Sequence, residues 1–371
     1  YGRFDLVLTH GQGSTVWDED GKQYIDLATG IAVNTFGYSD EGWVAAVTDQ
    51  LGKLQHTSNL YYHEPGARLA EKLCTRTGAK SVFFSNSGAE ANECAIKTAR
   101  LWAANNKGAD YYHIITLKNS FHGRTITTLA ATGQDTFHTD FTPLTEGFLY
   151  AEANNADSVE ELLKSHKCAA VMAEPVQGEG GVMPLTQAFM ESLRALCDKY
   201  NVLLMLDEVQ TGNGRSGYLY AFQSYGITPD VMTTAKGLGG GLPIGATLFF
   251  EKSHGTLKAG QHGSTFGANP ISCAAACHVL DRIDEALLAA GLDLVQDTNG
   301  NYVWDQNTGT ILGKKVVINE YMPATTGGNK PIAFGDFGFY DIVERADASV
   351  KIIKETLPKV DDIGYIAYEF L

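Results

Sequence analysis

The stretch VLLMLDEVQTG, residues 202–212, decides how this chain folds. An apolar run of strand length with no polar interruption is the pattern of a strand covered on both faces, and this one stops at a carboxylate, Asp207. The pattern recurs on either side of it. SVFFSNSG begins at Ser81, YHIITLKNSFHG at Tyr112, AAVMAEPVQGEG at Ala169 and DVMTTAKGLGGG at Asp230. Amphipathic segments such as AEANECAIKTARLWAANN and LTQAFMESLRALCDKYN lie between them, so the sequence predicts an α/β domain built on a mostly parallel sheet. Ligands of such sheets bind beyond the carboxyl ends of the strands. Each run here finishes in a polar or glycine-rich tail: Ser87-Gly88-Ala89, Phe121 to Arg124, Glu174 to Glu179, Asp207 to Gln210, and Lys236. The tails are expected to converge on one cleft.

Composition bounds what the cleft serves. The chain has 371 residues, 44% of them hydrophobic, enough for a large core and two or more domains. A formal net charge of -15 argues against a nucleic acid or an anionic membrane as partner, because either calls for a basic surface. The six cysteines, Cys74, Cys94, Cys168, Cys197, Cys273 and Cys277, form no CxxC pair and no disulfide framework, and are read as reduced core residues. No apolar run approaches membrane-spanning length and no charged, apolar leader opens the chain. The expectation is a cytoplasmic protein acting on small molecules, with no metal site.

The residue types in the tails ask for one particular ligand. Small residues ahead of the helical run in NSGAEANE leave backbone N–H groups and a positive helix end free for a phosphate, although Ser and Gly before a helix are also ordinary capping residues. The Walker pattern GxxxxGK[ST] is absent. Asp207 emerges from a buried strand and must meet a cation or strong donor; alone, it could equally be a helix cap or a Mg²⁺ ligand. Phe121 is a stacking platform or a core aromatic. Lys236, flanked by Thr, Ala and Gly in MTTAKGLGGGLPIGA, has no acidic neighbour in sequence, and small uncharged surroundings favour its neutral, nucleophilic amine. A phosphate cradle, an aromatic plane, a carboxylate and an amine together match pyridoxal phosphate. Its aldehyde forms a Schiff base with a lysine, and its ring nitrogen stays protonated beside an Asp.

From Tyr1 to about Glu285 the chain resembles the class III pyridoxal-phosphate-dependent aminotransferases, most closely the acetylornithine aminotransferases of arginine biosynthesis. The resemblance rests on GIAVN, HTSNLYYHEP, FFSNSGAEANE, SFHGRT, AEPVQGEGG, LDEVQTGNGRSG, AKGLGGGLPIGA and HGSTFGANP. It implies a pyridoxal-phosphate transferase type I large domain over residues 46–285, preceded by the N-terminal segment of a small domain over residues 1–45. It further implies that Lys236 is the Schiff-base lysine and that Asp207 pairs with the pyridine nitrogen. Ser87, Gly88 and Ala89 cradle the phosphate, Phe121 and Val209 stack on the ring, and Glu208 and Gln210 lie close to it. Arg124 binds a substrate carboxylate. Thr265, reaching the phosphate, and Ser264, reaching the substrate, are contributed across the interface of a homodimer. The implied reaction is ping-pong transfer of an amino group from N-acetylornithine, or an ornithine-like amine, to 2-oxoglutarate.

Glu179 matches a family glutamate whose partner is an arginine in a C-terminal domain, and here the sequence departs. After residues 284–292 no counterpart of that domain is found. Residues 286–371 instead resemble the C-terminal part of a tailed-phage major capsid protein, on TILGKKVVINEYMP, NKPIAFGDF and GYIAYEF, and their turn-separated short runs predict a β-rich α+β module. Two readings follow, an aminotransferase or a chimeric structural protein with little turnover. Without the family's last domain, the helix around Ala274 to Leu287 is expected to lose packing partners.

Overall fold

The computed structural model describes residues 1–285, 287–288, 304–305, 310–311, 314–315 and 363–366. The chain begins with β1 (Leu8–Gln12), β2 (Thr15–Asp18) and β3 (Gln23–Asp26), an antiparallel meander. After it come helices α1 (Thr29–Ala32), α2 (Glu41–Leu51) and α3 (Glu64–Thr77). The strands read from the sequence then appear in turn: β4 (Ser81–Ser85), β5 (His113–Leu117), β6 (Phe148–Ala151) and β7 (Cys168–Ala173). A short hairpin, β8 (Val176–Gln177) and β9 (Met183–Pro184), precedes β10 (Leu203–Asp207), β11 (Val231–Thr234) and β12 (Gly245–Phe249).

Seven of these strands form one sheet in the order β4-β12-β11-β10-β7-β5-β6. All neighbouring pairs are parallel except those made by β12, which runs against both β11 and β4. The expected mostly parallel α/β sheet is therefore the fold, with one reversed strand. Every residue of β7, β10, β11 and β12 is buried. Since side chains alternate sides along a strand, full burial means that both faces are covered. On one face α4 (Gly88–Asn106) lays Ala95, Ala99, Trp102 and Ala103 against Leu203, Met205, Val231 and Phe249. α6 (Ala156–Ser165) packs on β6, and α7 (Gln187–Lys199) on β7 and β10. Five cysteines are buried and Cys74 is half-buried, as small apolar residues would be.

One expectation needs correction. α8 (Pro270–Arg282) does not lose its packing: it lies against α2 and α3, and its stretch from Ser272 to Cys277 is buried together with Val279, Leu280 and Ile283. Tyr1–Asp284 and Ile363–Leu371 form one compact unit and Glu285–Asp362 another. Within the first unit, β16 (Ile363–Ile366) pairs parallel with the open edge of β3, Ile363 opposite Gln23 and Ile366 opposite Asp26. In the second unit β13 (Trp304–Asp305), β14 (Thr310–Ile311) and β15 (Lys314–Lys315) form an antiparallel sheet; the rest of the predicted capsid-like module lies outside the described residues.

Candidate active site

A cavity of about 480 Å³ sits where the strand tails meet. It is lined by Ser87, Gly88 and Ala89 after β4, Phe121 to Arg124 after β5, Glu174 and Glu179 after β7, Asp207, Val209 and Gln210 at the end of β10, and Lys236 after β11. A parallel sheet aligns all carboxyl ends on one edge, which is why residues so far apart in sequence share one space.

Ser87 caps α4. Its hydroxyl accepts from Glu90 N (3.2 Å), and the Glu90 carboxylate returns to Asn86 N (2.5 Å), a reciprocal cap that fixes the helix start against the cavity. The first-turn N–H groups of Gly88 and Ala89 have no intrahelical acceptor, so the positive end of a 19-residue helix faces the space. Gly88 tolerates no side chain there, because a Cβ would lie 2.7 Å from Val209 Cγ1. At Gly178 a Cβ would lie 1.6 Å from Gln210 Oε1, so the Gln210 side chain would have to move aside.

Asp207 is 4% exposed, and its carboxylate is satisfied three times. Oδ2 accepts from Asn92 Nδ2 (2.7 Å) and faces His122 Nδ1 at 2.8 Å, while Oδ1 accepts from Val209 N (3.1 Å). Asn92 is itself held by Thr233, whose hydroxyl donates to Oδ1 at 2.7 Å. Burial alone would push the His122 imidazole down, but the hydrogen bond and charge of Asp207, with the charge of Glu174, raise it above the usual value. Glu174 accepts from Phe121 N (2.8 Å), and burial lifts its carboxyl to about 7. His122 and Glu174 were placed in the converging tails from the sequence but given no role, and Asn92 was not singled out. A lone Asn within the buried face of α4, one turn past Gly88, was the available signal for it.

Lys236 opens a 3₁₀ turn, Lys236–Leu238, with φ at 44°, a conformation a non-glycine residue adopts only when its surroundings impose it. Three contacts do so. Asn213 Nδ2 donates to Ala235 O (3.2 Å), Thr35 Oγ1 to Gly237 O (2.7 Å) and Trp43 Nε1 to Gly239 O (3.1 Å). The Lys236 amine makes no hydrogen bond or salt bridge among the described residues. Burial lowers its pKa, against the opposing charges of Asp207, Glu174 and Glu179. Glu179 is half-buried and shifted upward by desolvation, which the charges of Lys236 and Arg124 oppose.

Three of the named residues stand elsewhere. Glu208 is a correction: its side chain turns from the cavity into the core, where Oε2 accepts from Thr211 Oγ1 (2.5 Å) and Ala221 N (2.9 Å) and Oε1 from Phe222 N (2.6 Å). Ser264 touches the cavity only through Asn86, whose Nδ2 donates to its Oγ (3.1 Å), and Thr265 is exposed outside the lining.

The cavity therefore fits pyridoxal phosphate: a helix start with free N–H groups and no room for a Cβ, a buried carboxylate, and an unpaired amine. Known proteins agree. The aminotransferase class-III family matches residues 1–307, and the phage capsid family matches residues 285–371. The acetylornithine aminotransferase of Haemophilus ducreyi is 52% identical over 288 residues, 78% of this chain and 73% of that protein. A succinylornithine transaminase of Yersinia pseudotuberculosis is 47% identical over 298 residues, 79% and 72% of the two chains. An amine transaminase from an uncultivated Pseudomonas species, solved with pyridoxal phosphate bound, superposes with a TM-score of 0.72 at 30% identity, covering 78% of this chain and 72% of the other. With its strand-end cavity, its amine and its buried carboxylate, the chain belongs to the class III aminotransferases, which are pyridoxal-phosphate-dependent enzymes.

Proposed function

We propose that the chain transfers the amino group of N-acetylornithine, or of an ornithine-like amine such as its succinylated analogue, to 2-oxoglutarate, a step of arginine biosynthesis. The supporting observation is Lys236, an amine without a hydrogen bond or salt bridge among the described residues, set in one cavity with Asp207, Arg124 and Glu179. The relatives are named for acetylornithine and succinylornithine, which supports an ornithine-type donor.

Pyridoxal phosphate, when bound, supplies an aldehyde that condenses with amines and a cationic ring that takes up the electron pair left on the substrate carbon. The α4 start at Ser87, Gly88 and Ala89 would hold its phosphate, Phe121 and Val209 its ring faces, Gln210 the ring oxygen, and Asp207 the ring nitrogen. Asn92, Val209 and His122 hold the Asp207 carboxylate in place for that contact. Lys236 is the base: burial favours its neutral amine, and Nζ takes the proton from the amine-bearing carbon and later returns one. Arg124 offers a planar fork to the carboxylate shared by donor and acceptor. The active form is a cytoplasmic homodimer in which Thr265 and Ser264 serve the other subunit's site, a reading supported by the exposure of Thr265 outside its own cavity.

Two assays test this. Borohydride reduction of the cofactor-loaded protein followed by peptide mapping should place the pyridoxyl group on Lys236. Glutamate should form from 2-oxoglutarate with N-acetylornithine, and comparison with ornithine, succinylornithine and γ-aminobutyrate ranks the donors. A pyridoxyl group on another lysine, or no glutamate from any ornithine-type donor, would sink the proposal. The capsid-family match at residues 285–371 favours one alternative, a structural chimera that neither holds cofactor nor turns over, recognised by the absence of a visible absorbance band.

A further inference from the structure

Arg124 carries five N–H donors, yet it makes no hydrogen bond or salt bridge among the described residues. What it touches is aromatic. Its guanidinium carbon lies 4.1 Å from the centroid of the Phe137 ring and 5.6 Å from that of Phe121. The two rings meet edge to face, 6.0 Å between centroids at 76°. Phe137 does not line the cavity and closes a 3₁₀ turn, Asp135–Phe137, thirteen residues beyond Arg124 in sequence. That turn is nevertheless tied to the loop of Phe121. Gln134 Nε2 donates to Ser120 O (3.1 Å), Gly133 N to Ser120 Oγ (3.1 Å), and Phe137 N to Gln134 O (3.1 Å).

We infer that Phe137 is a positioning residue for carboxylate recognition: its ring holds the Arg124 guanidinium at the cavity while its edge braces Phe121. The inference rests on the proposed role of Arg124 and adds a second residue to it. An unpaired arginine on a flexible stem samples many rotamers, and fixing it on binding costs affinity. A ring contact restrains the stem without occupying the fork with a competing carboxylate, which would have to be displaced. Phe137 would thus favour substrates that present a carboxylate over plain amines.

The test uses the cofactor-loaded protein and equilibrium binding, so it does not depend on turnover. Dissociation constants for 2-oxoglutarate are measured by calorimetry for wild type, Phe137→Leu, Phe137→Tyr and Arg124→Ala; cofactor affinity is measured by absorbance titration of each apo-protein, and butylamine serves as a donor without a carboxylate. Phe137→Leu should weaken 2-oxoglutarate about two- to fivefold, the range of a partly exposed cation–π contact, with cofactor affinity and the butylamine response unchanged. Phe137→Tyr keeps the ring and should bind like wild type. If Arg124→Ala weakens 2-oxoglutarate and Phe137→Leu does not, the inference is wrong while the role of Arg124 stands; if Arg124→Ala has no effect, that role fails first. Equal loss of cofactor and oxo-acid affinity in Phe137→Leu, unrestored by tyrosine, marks a merely structural residue and also overturns it.

Discussion

A carboxylate that already accepts hydrogen bonds from Asn92 and Val209 and faces a raised histidine is set before any ligand arrives. Electrostatic stabilisation of this preorganised kind is where much of an enzyme's rate originates. Asp207→Asn keeps the shape and removes the charge, and places an amide among groups that are themselves donors. Cofactor should still bind in part, and turnover should fall by several powers of ten; a variant with near-normal steady-state rates would remove Asp207 from its role. Lys236 gives the pH dependence. Its folded pKa lies below 10.5, chiefly through burial, so the neutral amine accumulates as pH rises through a value lower than that of a free lysine. Capture of pyridoxal phosphate by the apo-protein, followed by absorbance, should accelerate along a limb centred below 10.5. A limb centred at or above that value contradicts the desolvated amine.

Among the elements, α4 and the strand ends were the most legible. Uninterrupted apolar runs betray buried parallel strands, and Ser87 with Glu90 spells a reciprocal cap, so Lys236, Asp207, Gly88 and Phe121 could be expected in one space from local pattern alone. The remainder depends on partners distant in sequence. The direction of Glu208 is set by backbone N–H groups of Ala221 and Phe222, and the reversal of β12 by pairing with Ser81–Ser85. Neither leaves a local signature. The same holds for Phe137 beside Arg124, which meet only because two loops are tied through Ser120. A prediction follows at this scale for the start of α4. In Gly88→Ala the new Cβ would lie 2.7 Å from Val209 Cγ1, a distance real side chains do not keep, so the first turn or Val209 must shift. Overpacking of this sort costs about 1–3 kcal/mol, and cofactor affinity should fall roughly tenfold with the overall fold intact by circular dichroism. Unchanged affinity would mean that the helix start does not cradle the cofactor.

At the scale of the whole molecule, two family patterns share one chain: the aminotransferase match ends at residue 307 and the capsid match begins at residue 285. The chain covers 73% of its Haemophilus ducreyi relative, and the resemblance to that family makes an arginine of a C-terminal domain the expected partner of Glu179. β16 occupies the edge of β3, giving the N-terminal sheet a fourth strand, and α8 is packed within the unit that carries the cavity. Chemistry on a first amine needs Lys236, Asp207 and Arg124, which line that cavity. The return half of the cycle asks more, because the site must then admit a second carboxylate beside Glu179 and keep water out. Glu179 is half-buried and makes no salt bridge among the described residues, and is expected to repel that carboxylate. The expected outcome is partial cofactor occupancy, conversion of bound cofactor by N-acetylornithine in a single turnover, and a steady-state rate with 2-oxoglutarate far below the order of ten per second common among enzymes. Absorbance of the purified protein measures the occupancy, and glutamate production measures the rate. Full occupancy together with a rate of that order would show that the C-terminal segment replaces the family's last domain in function, and that Glu179 needs no arginine to accept both substrates.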